Sequence, residues 1–500
     1  MMRNFNLTLV LARLSSAEAN ALAEKSMLSS FQIITCSFIV EFCRSRRAKS
    51  LLASVALASC ALVSVPSSAA DASAWRLDQS LDLPEGLSLS GAFRSRFENA
   101  RNSVRSGTPN DQVLTFRTRI DARYKENGRV WQFEVMDARQ QLADADGILG
   151  TGDVNALDIQ QASVKLALGS EATTLKLGRF TSDYGSRRLV ARPIYRNTFN
   201  AFDGLEFTHT APNGNQVAVL ATQPVQRLPT DKASVLDNDF EWDKSSNNRR
   251  FYGVFTTQPA PLAGKTGGYF DRLRTEAYYF SLREKSDTIL DSSINTLGLR
   301  AEVRAQPGQF DFEVEGILQR GDNTRLAADG SVSRGDHRAE YAFFELGYSF
   351  AVPSRLRVLF EIDYGSGNDL GTPQRQERFN QLFGVTAFAY GPTGFYGVFN
   401  ASNIITPGLR ASFNPIAGLN LMASYRHFWL ADRRDSLGRT KQSDPSGLTD
   451  SYMGHHLDLR ARWDVSPLSI RIEVGAVIYK PKGFQERNSV FTYGGAELTF

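Results

Sequence analysis

Three arginines, Arg117, Arg119 and Arg123, stand on one parity of the stretch "LTFRTRIDARYK" (residues 114–125). A guanidinium is a planar fork of donors that grips a carboxylate or phosphate through two parallel hydrogen bonds, so a row of them is chemistry for holding or passing anions. The pattern returns with Arg300 and Arg304 in "LGLRAEVR" (297–304), Arg357 in "LRVLFEIDY" (356–364), Arg460 and Arg462 in "LDLRARW" (457–463), and Arg471 and Lys176. Acids are interleaved at Asp121, Glu134, Glu302, Asp311, Glu313, Glu361 and Asp458. Two uses fit this mixture. Cross-strand ion pairs would keep a wet wall rigid; a surplus of guanidinium groups would favour anionic or sugar-like solutes. For the set, the second use is the better match, because pairing alone does not need so many arginines. Other chemistry finds little support. His455 and His456 point to opposite faces of a strand and cannot easily share a metal. "DADGILGTGD" (144–153) has the acids and glycines of a calcium loop but not the full ligand order or the closing Glu, and reads as a polar turn. No Ser–His or Asp–His constellation is marked. The expectation is a non-enzyme with no metal and no cofactor.

The elements that must carry these residues are strands. Leu114, Phe116, Ile120, Ala122 and Tyr124 alternate with the charged set, and strict alternation is the signature of a two-faced β-strand. About eighteen such segments follow one another: near 86–100, 112–125, 130–139, 157–167, 172–180, 199–210, 215–224, 249–258, 272–284, 294–305, 308–320, 337–351, 354–365, 405–414, 418–429, 453–464, 467–478 and 489–500. Tight turns such as "KENGR", "APNGN" and "NPIAG" alternate with long polar links at 140–156, 181–198, 225–248, 321–336, 366–404 and 430–452. Short turns on one side and long loops on the other is the wiring of an outer-membrane barrel. The expected fold is all-β, a transmembrane antiparallel β-barrel of about 18 strands. Leu114, Phe116 and Ile120 then face lipid and the arginines face a lumen. An even strand number puts both termini in the periplasm, and the terminal Phe500 of "YGGAELTF" is a signal for the barrel-assembly machinery.

The N-terminus fits export. "RSRRAKS" (44–50), "LLASVALASCALVSV" (51–65) and "PSSAA" (66–70) form the basic, apolar and small-residue parts of a signal peptide, residues 44–70, cut after Ala70. Residues 1–43 read as an upstream extension, and 71–500 as the barrel domain. "LASC" (57–60) offers a weaker alternative, lipid attachment at Cys60. The leader region carries all three cysteines, seven of the 57 basic residues and three of the 53 acidic ones. The remainder is cysteine-free and balanced at fifty charges of each sign, which argues against a nucleic-acid partner.

"LTFRTRIDARYKENGRVWQFEVMDARQ" (114–140), "LKLGRFTSDYGSRRLVARP" (175–193), "NAFDGLEF" (200–207) and "MGHHLDLRARW" (453–463) resemble the alginate export porins of the bacterial outer membrane. The resemblance implies a monomeric eighteen-stranded barrel in outer-membrane lipid and lipopolysaccharide, passing an anionic sugar polymer by diffusion. It adds Arg139, Arg179 and Arg188 to Arg117, Arg119 and Arg123 as lumen-lining residues; Arg300, Arg460 and Arg462 join them from strand parity. Two positions depart from the family pattern: Phe180 replaces a Gln after Gly-Arg, and His456 replaces a Glu before Leu-Asp. The longest connection on the turn side is near 259–271, so gating should fall to 366–404 or 225–248. Mass spectrometry of the membrane form should find the mature N-terminus near Asp71 without lipid; an acylated Cys60 would overturn that cleavage site.

Overall fold

The computed structural model describes residues 76–105, 110–264, 268–326, 331–372, 374–385, 389–440, 442–465, 469–484 and 486–500. The signal peptide and its cleavage site lie outside the described residues. The strands are β1 Leu87–Arg101, β2 Asp111–Glu126, β3 Arg129–Gln141, β4 Asn155–Leu168, β5 Ser170–Phe180, β6 Phe202–Thr210, β7 Gln216–Pro224, β8 Arg249–Pro259 and β9 Leu273–Glu284. They continue as β10 Ile289–Val303, β11 Gln309–Leu326, β12 Val332–Ser349, β13 Arg357–Gly365, β14 Arg375–Gln376, β15 Ile404–Ile416, β16 Leu419–Trp429, β17 Tyr452–Val465, β18 Ile470–Pro481 and β19 Ser489–Thr499. Eighteen of them make the wall of a closed antiparallel barrel. The two-residue β14 belongs to a loop and pairs parallel with β12. Among the described residues, helix is confined to short pieces at Leu77–Ser80, Lys232–Asp237 and Tyr269–Arg272.

Local sequence explains the hairpins. Asn127 and Gly128 both take left-handed backbone (φ 46 and 71), which fits the twist of a two-residue turn and sets Glu126 opposite Arg129. Between β15 and β16 only Gly418, at φ 78, takes left-handed backbone, in the turn that sets Ile416 opposite Leu419. The wall closes where β1 pairs with β19, from Ala92 opposite Thr499 to Arg101 opposite Val490. Phe500 extends this seam by exchanging two backbone hydrogen bonds with Gly91.

Parity along the strands is as the alternation predicts. Ile120, Leu297 and Leu299 are exposed on the outer face, Leu299 at 62%, while Arg117 and Arg300 are buried inside. One link differs from expectation. Residues 321–336 are mostly strand, because β11 and β12 run on to Leu326 and resume at Val332 as a tall hairpin.

Charges occupy the inner wall towards the turn end, and aromatics occupy it towards the loop end. Phe180, Phe202, Phe251, Phe280, Phe428, Tyr479 and Phe491 all point inward there and are almost fully buried. Loops 181–201 and 366–403 fold into the barrel and cover them. Phe383 packs edge-on to Phe202 and Phe251 at 5.2 and 5.0 Å between ring centroids, and Phe399 stacks on Phe428 at 3.8 Å. The two loops also meet each other, Val190 forming a bridge to Phe383. Both departures from the family pattern belong to this zone: Phe180 is in the aromatic cluster, and the His456 ring lies 4.8 Å from that of Phe428.

Single cysteines test the parity. In lipid vesicles, cysteines at Ile120, Leu297 and Leu299 should resist aqueous thiol reagents while cysteines at Arg119 and Arg462 react. Equal reactivity of the two sets would refute the inside–outside assignment.

Candidate functional site: a charged lumen under inserted loops

The inner wall on the turn side of the loops is a belt of arginine–carboxylate pairs. Arg119 meets Glu134 at 3.2 Å, Lys176 meets Glu206 at 2.8 Å, Arg410 meets Glu361 at 2.8 Å, and Arg462 meets Glu473 at 2.6 Å. Arg300 sits between Glu276, Glu302 and Glu313 at 3.0, 2.6 and 2.9 Å. Arg357 bonds Asp311 and, at 2.6 Å, Glu345. Strand register creates these pairs: residues of like parity on adjacent strands come within side-chain reach. Most of the groups keep some exposure to the lumen, so they line a wet passage and form no sealed core.

The deepest pair is different. Arg426 is fully buried and holds Glu361 at 2.9 Å and Asp363 at 2.8 Å. Loss of one partner from such a buried pair strands an uncompensated charge, at a cost of roughly 3–5 kcal/mol.

A second set of arginines holds loop 181–201 in place. Arg94 and Arg117 lie directly opposite each other on β1 and β2, a repulsive placement in isolation. Arg94 donates to the carbonyls of Ile194, Tyr195 and Arg196 at 3.0, 3.0 and 3.1 Å and to Asn197 Oδ1 at 2.9 Å. Arg117 donates to the carbonyls of Ile194 and Arg196 and pairs with Glu497 at 2.7 Å. The ring of Phe199, from the same loop, is faced by Arg117, Arg119 and Arg192 at 4.8, 5.7 and 4.2 Å. Carbonyl oxygens and a π face thus supply negative potential to a row of cations.

Arg117, Arg119, Arg300, Arg460 and Arg462 share the inward parity. Arg123 does too, near the turn end, where it bonds Asp121 at 2.8 Å. The row of three is therefore engaged at each rung. Arg188 reaches the lumen from the inserted loop, bonding Glu313 and Glu315 beneath a cation–π contact of 3.6 Å with Phe343. Two expected lining residues are elsewhere. Arg139 shares the outward parity of the exposed Trp131 and Phe133 and pairs with Asp137 at 3.0 Å. Arg179 shares the outward parity of the exposed Leu177 and Leu205 and pairs with Asp203 at 2.8 Å near the loop-side rim. Strand alternation places both outside, whatever motif surrounds them.

Arg94, Arg96, Arg410 and Arg426 are inward residues that the opening pattern left out. The signal was present, since "FRSRF" sets Arg94 and Arg96 between Phe93 and Phe97, and "YRHFW" sets Arg426 between Tyr425 and His427. Arg192, on a loop, has no such signal. The backbone of 144–153 is held by its own Asp153, which accepts the Gly150 amide, by Asp111 of β2, which accepts those of Asp144 and Ile148, and by Lys232 Nζ, which donates to the carbonyls of Gly147 and Leu149 at 2.8 and 3.1 Å.

A closed eighteen-stranded barrel with a lipid-facing apolar exterior and a charged lumen under folded-in loops is an outer-membrane channel. The chain belongs to the alginate export family, whose model matches residues 86–489. No curated protein matches it. Its fold is similar to solved channels of Pseudomonas aeruginosa. OpdK with vanillate aligns at TM-score 0.55 and 11% identity, over 83% of this chain and 99% of that one. OccD3 (OpdP) aligns at 0.50 and 14%, over 84% and 92%. OccK2 (OpdF) in complex with glucuronate aligns at 0.50 and 13%, over 85% and 100%.

Replacing Arg94 and Arg117 together by Gln removes several charge-assisted hydrogen bonds to segment 194–197, each worth roughly 1.5–3 kcal/mol. The double variant should show higher single-channel conductance and faster proteolysis within 181–201. Wild-type values in both would show that these arginines do not hold the loop.

Proposed function

We propose that this chain passes an anionic, alginate-like polysaccharide or oligosaccharide by diffusion. The observation that carries the reading is the arginine–carboxylate belt, in a chain of the alginate export family. In the belt each guanidinium already has a carboxylate partner. A uronate unit entering it can exchange its own carboxylate for that of the wall, fork to fork, and leave again as the wall acid returns. Such exchange keeps any one station from becoming a deep trap. Fixed charges act over roughly 8 Å at physiological salt, so neighbouring pairs hand a chain along by overlapping fields. In this reading the barrel works as a monomer set in outer-membrane lipid and lipopolysaccharide. Its termini are periplasmic, and Phe500 is presented to the barrel-assembly machinery.

A second reading is a porin preferring small anions. It is favoured by the two inserted loops, which narrow the passage, and by the small carboxylates, vanillate and glucuronate, bound to two of the similar channels.

Planar bilayers separate the two. The polysaccharide reading expects low-salt anion selectivity and block of the current by polyuronate. Arg119→Gln, Arg357→Gln and Arg462→Gln combined should weaken both. Block by glucuronate alone leaves the small-anion porin standing, and cation selectivity with indifference to both solutes refutes anion passage altogether.

A further inference from the structure

Three outward residues at the loop end of the wall form a basic row on the face away from the lumen. His427 on β16 lies directly opposite His455 on β17, and His455 lies directly opposite Lys480 on β18. Their parity is outward: Tyr425 and Leu459, which share it, are exposed, while Arg426, Phe428, His456 and Tyr479 point inward and are buried. The two histidine rings stand 5.4 Å apart between centroids. Lys480 is exposed and, among the described residues, forms no ion pair. Neighbouring cations on adjacent strands repel one another, and an acyl chain offers them no counter-charge.

The row lies among aromatic rings at one edge of the lipid-facing band. Tyr425 is one step below it, and Trp429 and Tyr452, 5.0 Å apart between centroids, are one step above. From His455 the outward positions of β17 run through Leu457, Leu459 and Ala461 to Trp463. That is roughly 26 Å of strand before tilt, close to the height of the apolar band of such barrels, so the row is at headgroup depth. Tyr452 Oη bonds His427 Nδ1 at 2.9 Å and His455 Nδ1 at 3.2 Å. When both rings are protonated this oxygen can accept from both, and the two Nε2–H groups on the far ring edges are left to donate to an anion. Lys482 Nζ adds charge nearby, 5.4 Å over the Tyr452 ring and 3.8 Å from Asp450.

We propose that Lys480, His455 and His427 form a phosphate site on the outside of the barrel for the headgroup of one lipopolysaccharide molecule. The proposal rests on the orientation in the reading above, which puts the loops outside the cell, and names a contact for the lipid placed there. Basic groups at headgroup depth recognise anionic lipids, and the lysine ammonium is a compact point charge suited to phosphate. Three adjacent strands span roughly 10 Å. That width suits a disaccharide carrying a phosphate at each end better than the single phosphate of a phospholipid. The acyl chains then lie along Tyr425, Leu457 and Leu459.

The test uses the full barrel, folded and delipidated in detergent with EDTA present. It is titrated with rough lipopolysaccharide, with the same lipid dephosphorylated, and with phosphatidylglycerol, and bound copies are counted by native mass spectrometry. One copy of lipopolysaccharide should bind ahead of any other. Removing its phosphates, or exchanging it for phosphatidylglycerol, should cost at least tenfold in affinity. Lys480→Gln with His455→Gln should lose as much while the barrel keeps its heat-modifiable migration, and Lys480→Arg should retain binding. Tyr452→Phe keeps the ring and removes the hydroxyl between the histidines; it should weaken binding severalfold, which an aromatic belt acting by packing alone would not do. If the double variant does not fold, Lys480→Gln alone, a change at an exposed side chain, decides the matter. Equal binding of the dephosphorylated lipid, unchanged affinity in the folded charge variant, or equal binding of phosphatidylglycerol would each overturn the site. Polyuronate block of the wild-type current is measured in phospholipid bilayers free of lipopolysaccharide, so the site and the wider function fail separately.

Discussion

A bilayer core offers no water to the peptide group, so each amide and carbonyl at that depth must find a partner within the protein. The seam between β1 and β19 meets this requirement. It joins the two ends of the sheet through a run of matched residues and is extended by the backbone of Phe500. Without it both edge strands would present unpaired groups to lipid. Closure then dictates the rest: an apolar exterior, an interior too wide for wall side chains to fill, and long loops free to fold into it.

How that interior is occupied follows from the two zones of the inner wall. Where inward residues are aromatic, the inserted loops find a surface to pack against, and Phe383 and Phe399 are drawn down onto it. Where they are charged, carboxylates and guanidinium groups neutralise one another and water remains. Arg94 and Arg117 mark the boundary. They neutralise their mutual repulsion with loop carbonyls and Glu497, so the electrostatic problem of the wall is also the fastening of the loop.

The wall and the loops differ in how they hold charge: the guanidinium groups of the belt pair with carboxylates, whereas Arg94 on the wall and Arg105 and Arg227 on the loops are held by backbone carbonyls. The family relationship and the fold define the channel; the chemistry of its inner surfaces supports the uronate reading.

Strand number, hairpin positions and the face of most wall residues were determined by the amino-acid order itself, because they depend on local sterics with a period of two and on turn residues such as Asn127 and Gly128. Even the outward placement of Arg139 and Arg179 follows from parity, since each alternates with inward neighbours; the surrounding motif alone suggested the lumen. The tall hairpin over 321–336 was hidden because polar residues suit a loop and a strand that stands in water equally well. What only the tertiary structure decided is the contact made between distant segments. That Arg94 would hold Tyr195, that Phe202 would pack against Phe383 of a distant loop, and that Arg105 and Arg439 would meet beside Gly397 depend on loops entering a closed barrel. Such entry has no periodicity for a sequence to display.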